Sequence, residues 1–358
     1  VVRRVRRGRR DDVRRRRAAW AGPPPLLLLV TVLGVLVAPA VADDRPTDPP
    51  ADPSAVHVDP PTSAAATPRS IEPRLVRRVE TSSRGGRAAT GADVAPLQPA
   101  VDIGVASMNM LRLLTPEQAR ADARRLTADP AVDVVGWQEA QHFRSVLRSL
   151  PGWRTATFER RGDISELAVS WRADRFRLVR SKLVYGIPGV RPDEGRYPFA
   201  GRRIAIVTLE HRESGRRLTV LDAHLPTMIE DEGVPGRWAA TLNASRARQH
   251  LARIARAWSR VGSRWVVGTG DLNFDARADA RQRSPGGPIR MLGRVAISSY
   301  QALGARTPPT YPELQRRIDY VWVDRAARRE GRMEFLRHWV LPDFNSDHRP
   351  IVVRLRLT

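Results

Sequence analysis

The sequence predicts one mixed α/β domain with more than one β-sheet layer over about residues 99–358. Three observations carry this. Short apolar runs with strand character recur along the stretch, among them "VDIGVASMN", "RRIAIVTLEH" and "PIVVRLRLT". Helical segments are interspersed between them, which is the pattern of a layered domain with helices outside. Apolar residues make up 42% of the 358, enough to bury a sizeable core. There is no cysteine. That excludes disulfides, thiolate metal sites and a cysteine nucleophile, and a domain of this size needs no disulfide staples.

In chain order, residues 1–42 read as an export signal. The basic segment "RRVRRGRRDDVRRRR" precedes an apolar run from Leu26 to Ala38, and Ala40 and Ala42 give a small-x-small pattern that predicts cleavage after Ala42. The thirteen-residue run falls short of the roughly 20 a spanning helix needs, so an uncleaved membrane anchor is the lesser reading. The paired arginines permit a twin-arginine route. Residues 43–98 hold nine of the 29 prolines among Ala, Thr, Ser and Asp and read as a linker, because such a composition buries too little apolar surface to offset its ordering entropy.

From residue 99 the text changes. "VDIGVASMN" is a strand. Thr115, Pro116 and Gln118 open a helix with a cap, a first-turn proline and a capping-box partner. "VDVVGWQ" is a buried strand, and "LAVSW" and "FRLVR" are short ones. "RRIAIVTLEH" and "RRLTVLDAHL" flank a Glu-Ser-Gly turn and form a hairpin. "NASRARQHLARIARAW" is a basic amphipathic helix, with Asn243 the expected N-cap. "RWVVGTG" and "RRIDYVWVD" are strands. In the final strand Val353, Leu355 and Leu357 alternate with Arg354 and Arg356, so one face is buried and one wet.

Several strand ends carry polar groups of a matching kind. "ASMNM" delivers Asn109, "VVGWQEA" Glu139, "VLDAHLP" His224, "VVGTGDLNFD" Asp271 and Asn273, and "FNSDHRP" Asp347 and His348. Asp319 lies inside the apolar run "RIDYVWV", where an acid is costly unless paired. Any one of these has an ordinary explanation: a capping turn for "GTGDLNFD", an ion pair with Arg316 or Arg317 for Asp319. Together they describe an oxygen-rich cation site with acid–base groups beside it.

"SMN", "WQEA", "DAHL", "GDLN", "RIDYVWV" and "SDH" stand in the order found in the endonuclease/exonuclease/phosphatase superfamily, which this chain resembles over 99–358. The resemblance implies the deoxyribonuclease I-like fold, a four-layer sandwich of two mixed sheets packed face to face with flanking helices. It implies metal-dependent hydrolysis of a phosphate ester, usually with Mg2+, with Mn2+ or Ca2+ as alternatives. Glu139 is then the main metal ligand, Asn109 holds that carboxylate or the metal shell, and Asp347 is a further or water-mediated ligand. Asn273 donates to a phosphate oxygen. His348 contacts the phosphate or acts as base, with Asp319 fixing its tautomer. Asp271 orients or deprotonates water, and His224 is a phosphate contact or general acid. Arg202 or Arg203 braces the phosphate. Glu166 in "SELAVSW" matches a supporting acid of some members poorly. Leu111 stands where some DNA-repair members have an acid, which argues against a repair-type metal site. His142, His211, His250 and His338 match no motif and read as surface or structural.

The net charge of +23 includes +8 from residues 1–42, while 99–358 carry +16. A basic body suits a polyanion, although the single lysine, Lys182, shows that arginine use is also a coding habit. The leading expectation is therefore a secreted, metal-dependent nuclease acting on DNA or RNA. A sphingomyelinase-like or phosphoinositide-type lipid enzyme is the alternative, with Met228, Ile229 and Trp238 in "LPTMIEDEGVPGRWAA" as its suggestive loop. A non-catalytic binding protein is the third reading. No protein partner is implied, and a monomer is expected.

Overall fold

The computed structural model describes residues 99–358 apart from 161–162, 232 and 282–285. The predicted signal and linker lie outside the described residues. The elements run β1 (Val101–Asn109), α1 (Pro116–Ala128), β2 (Val134–Gln138), α2 (Arg144–Arg148), β3 (Trp153–Arg160), β4 (Asp163–Arg172), β5 (Phe176–Ile187), β6 (Arg202–His211) and β7 (Arg217–His224). They continue with α3 (Leu242–Ser259), β8 (Trp265–Asp271), α4 (Ala276–Asp279), α5 (Pro288–Leu292), β9 (Ala296–Ser298), α6 (Ser299–Leu303), β10 (Asp319–Asp324), α7 (Arg325–Arg329), β11 (Met333–Val340) and β12 (Ile351–Leu357).

The strands form two six-stranded sheets, ordered β11-β12-β1-β2-β4-β3 and β5-β6-β7-β8-β10-β9. The central pairs β1–β2 and β7–β8 are parallel and the remaining pairs antiparallel. Both sheets are therefore mixed, as the sequence led us to expect. Valines and isoleucines from both sheets, such as Ile103, Val105, Val220 and Val267, build one core. A second cluster packs Leu126 of α1 and Leu147 of α2 onto Ala106, Met108 and Trp137. Leu251, Ile254 and Trp258 of α3 lie on the other sheet, with Gly268 leaving room for the Trp258 ring. Among the described residues no helix is long and apolar enough to cross a membrane.

Strand alternation is what aims the polar ends. Because successive side chains point to opposite faces, Ile103, Val105, Ser107 and Asn109 share one face of β1, and Val267, Thr269 and Asp271 one face of β8. These faces meet: Gly270 N donates to Ser107 Oγ across the sheets at 2.9 Å. A Cβ on Gly136 of β2 would come within 2.0 Å of Thr269 Oγ1, and one on Gly270 within 2.1 Å of the Ala223 carbonyl, so both approaches require glycine. The rows end in Asn109 and Asp271, side by side at one end of the sandwich.

The helix predicted from Thr115 has the expected cap, proline and reciprocal Thr115–Gln118 capping box. The expected cap of α3 is corrected. Thr241 is the N-cap and accepts from Ala244 N, while Asn243 lies in the first turn, buried, and donates to the carbonyls of Tyr197 and Thr227. The wet face of the last strand is half-buried, because Arg354 pairs with Asp133 and Arg356 with Asp102. Of the suggestive apolar loop, Met228 is half-buried and lines a cavity at the same end of the sandwich, while the other two residues point inward. Ile229 is fully buried, and Trp238 packs on Phe274 with ring centroids 4.7 Å apart and donates to the Gly286 carbonyl.

Candidate active site

The strand ends open into one cavity of about 680 Å3, lined by Asn109, Glu139, Glu166, Arg202, Arg203, His224, Asp271, Asn273, Asp347 and His348. Nine of these ten were named from the sequence as site residues, and Glu166 was discounted there. Asp271 is the hub. Its Oδ1 accepts the backbone N–H of Asn273 at 2.8 Å, a turn closed with Asn273 at φ 49°. Its Oδ2 accepts Asn109 Nδ2 at 3.1 Å and lies 3.4 Å from Asn273 Nδ2. The same oxygen is 3.4 Å from His224 Nε2 and 3.8 Å from His348 Nε2. The glycine turn is thus both a turn and a presented carboxylate.

Each imidazole is backed by an acid, half-buried Glu166 for one and fully buried Asp319 for the other. His224 Nδ1 is 3.1 Å from Glu166 Oε2, and Glu166 is in turn paired with Arg202. His348 Nδ1 is 2.9 Å from Asp319 Oδ2. Asp319 pairs with neither neighbouring arginine: Arg316 holds Glu230, and Arg317 donates to the Thr307 carbonyl. Burial works against a charged ring in both histidines. The facing carboxylates outweigh it, raising His224 to about 9 and His348 to about 10. Burial also opposes charge on Glu166, yet Arg202 and His224 bring it down to about 2. Burial opposes charge on Asp271 too, but His348 and His224 hold its carboxyl below the usual range. Burial raises Asp319, so the Asp319–His348 pair keeps its shared proton firmly.

At the rim, Glu139 has φ 54° and accepts the Arg112 backbone N–H at 3.0 Å. Burial, Glu139 and Asp271 raise the Asp347 carboxyl, an accumulation of negative charge. An all-oxygen set of this charge fits a hard divalent cation. Asn109 is committed to protein partners, donating to Asp271 and accepting Leu111 N at 2.9 Å. Asp271, Asp319 and His348 also bring one ligand atom each within 4.8 Å of one another. The proton held between Asp319 and His348 favours a hydrogen-bonded unit there. Arg202 and Arg203 point apart: Arg202 serves Glu166, and the Arg203 guanidinium lies 5.5 Å from the Tyr185 ring centre.

Sequence reasoning underrated Glu166, whose signal was an acid on an otherwise apolar strand. It did not single out Tyr311, whose ring lies 5.1 Å from that of His348. It also read His250 as surface or structural, and the residue is fully buried beside Arg202, its pKa lowered to about 3 by burial and that arginine.

No family model and no curated protein matches the chain. Solved structures do. An endonuclease/exonuclease/phosphatase from Bacteroides vulgatus is 20% identical with a TM-score of 0.54, over 72% of this chain and 100% of that one. A family protein from Bacteroides thetaiotaomicron is 17% identical at 0.52, over 73% and 96%. This chain has the deoxyribonuclease I-like fold. D. rerio TDP2 complexed with a single-strand DNA product is 16% identical at 0.51, over 71% of this chain and 98% of that one. In this deoxyribonuclease I-like sandwich the cavity occupies one end, with its polar groups drawn from both sheets.

Proposed function

We propose that the chain is a divalent-metal-dependent phosphodiesterase acting on nucleic acid. The carrying observation is the pair of carboxylate-backed imidazoles that meet at one oxygen of Asp271. A phosphodiester repels nucleophiles through its own charge. Hydrolysis therefore needs donors for the equatorial oxygens, an acceptor to orient water and an acid for the leaving alkoxide. His224 and His348 both hold protons at neutral pH, which suits them to donate to phosphate and leaving group. Asp271, ionised and fixed by its neighbours, orients the attacking water. Asn273 adds an amide donor. Glu139 and Asp347 would hold the cation, which supplies charge neutralisation when bound. Mg2+ suits such oxygen ligands.

The nucleic-acid reading is supported by the basic body and by the DNA product in the similarly folded TDP2 structure. One observation favours a lipid substrate: Leu113 and Leu314 line the cavity mouth 79% and 58% exposed. The purified chain with Mg2+, with and without chelator, is offered plasmid DNA, RNA and sphingomyelin vesicles beside Asp271→Ala and His348→Ala. Chelator-sensitive cleavage of nucleic acid, lost in both variants, supports the proposal. Phosphocholine release with nucleic acid intact replaces it with the lipid reading. Export through residues 1–42 belongs to the same proposal, and N-terminal sequencing of protein recovered from the medium should read from Asp43.

A further inference from the structure

Several arginines of the domain are neutralised where they stand. Arg177 and Arg217 pair with Glu210, Arg175 and Arg354 with Asp133, Arg144 and Arg148 with Glu159. Helix α3 differs from these in having several such residues together. It carries Arg246, Arg248, Arg253, Arg256 and Arg260 at its end and contains no acid. Among the described residues none of the five makes an ion pair. Arg246, Arg253 and Arg260 recur every seven residues, about 10 Å apart along the axis.

This unneutralised charge connects to the cavity. Arg203 lines the cavity and lies over one ring, Tyr185, that Arg253 of α3 also faces at 5.3 Å. Tyr185 is 46% exposed, so the two guanidiniums are held in place at the surface. Further along, Arg180 of β5 reaches the Val261 carbonyl just past the end of α3. It lines there a second cavity of about 450 Å3 with Arg217 and Arg264. A guanidinium fixed by an aromatic ring loses less freedom on binding a phosphate than a free one does.

We infer that the outer face of α3, with Arg203 and Tyr185, is a docking track for the phosphate backbone of a nucleic-acid strand running away from the cavity. This rests on the phosphodiesterase reading for its geometry, since the track starts where the scissile phosphate would sit. A polynucleotide fits because its charges repeat along a line as those of α3 do. An anionic membrane would also be attracted, yet it offers no line of charges at a fixed repeat for α3 to match.

The test is the triple change Arg253→Gln, Arg256→Gln and Arg260→Gln, all exposed, against Arg124→Gln, Arg328→Gln and Arg329→Gln as a charge-matched control elsewhere on the surface. Binding of a labelled single-stranded oligonucleotide of roughly 20 nucleotides, longer than one site, is followed by anisotropy at several salt concentrations. Turnover of bis(p-nitrophenyl) phosphate and binding to phosphatidylserine vesicles are read in parallel. The α3 variant should bind the oligonucleotide about tenfold or more weakly, with a log–log salt slope shallower by about 2, while the control keeps wild-type affinity. Small-diester turnover should be unchanged in both. Equal oligonucleotide binding by the α3 variant and wild type overturns the track and leaves the hydrolase reading standing. So does a loss confined to vesicles, which would make the face a membrane surface. An enzyme inactive on every diester whose oligonucleotide binding still depends on α3 would sink the hydrolase reading and keep the track.

Discussion

At the residue scale, the site is a proton-holding device. His224 is worth following because its two partners differ: Glu166 sits behind it and Asp271 before it. Its folded pKa of about 9 lies above the ordinary imidazole value of 6.5, so its contribution to stability is full below 6.5 and lost as pH rises through about 9. Glu166, held near 2 against an ordinary 4.5, contributes above 4.5 and loses that as pH falls through about 2. If His224 is the acid for the leaving group, turnover should fall as pH climbs past about 9. Glu166→Gln should move that alkaline limb toward the ordinary imidazole range, and a pH–rate profile of both proteins decides it. Asp271→Asn should cost about 10²–10⁴ in turnover with a native melting curve, measured on a small diester. Asp271, Asn273, Asp319, His224 and His348 were legible in the sequence because each lies within an apolar strand or a few residues from the end of one. Glu166 was hidden because its role is visible only once β4 and β7, on different sheets, face each other. Tyr311 was hidden because it sits in a loop with no periodic pattern.

At the scale of elements, what the sequence revealed followed burial. β1, β2, β7, β8 and β10 are almost wholly buried and read as apolar runs. β3 and β11 stand at sheet edges, and their sequences "WRTATFER" and "MEFLRHWV" mix polar and apolar residues without clean alternation. β5 is also an edge strand, and its exposed middle hid all but its first five residues. The cap of α3 was misplaced by two residues because Thr241 and Asn243 are both good capping types; a tertiary demand on Asn243, the carbonyls of Tyr197 and Thr227, decided between them. Thr241→Ala should therefore lower stability by about 1 kcal/mol in denaturant unfolding. Asn243→Ala should also lower stability, since it removes the donor to the Tyr197 and Thr227 carbonyls, and Thr227 lines the cavity, so KM should rise with it. Gly270→Ala is expected to be worse than either: its Cβ meets the backbone of Ala223, which has no rotamer to yield, and about 2 kcal/mol or more should be lost.

At the scale of the whole molecule, the question is how a protein of net charge +23 uses its excess. Charge counted from composition does not separate coding habit from function, because a paired arginine and an unpaired one look alike in a sequence. The fold separates them: Arg175, Arg148 and Arg217 sit against Asp133, Glu159 and Glu210, while Arg253, Arg256 and Arg260 of α3 are exposed on a helix without acids. Long-range attraction is screened over about 8 Å at physiological ionic strength, so it acts on an approaching polyanion and hardly on chemistry inside the cavity. Raising salt should therefore lower kcat/KM for a polynucleotide steeply, chiefly through KM, and leave kcat/KM for bis(p-nitrophenyl) phosphate nearly flat. Initial rates on both substrates across one salt series make the comparison. Parallel loss on both would place the salt effect at the catalytic groups or the metal. A flat response on both would mean that the excess charge steers no substrate, and the arginines of this molecule would then be read as coding habit throughout.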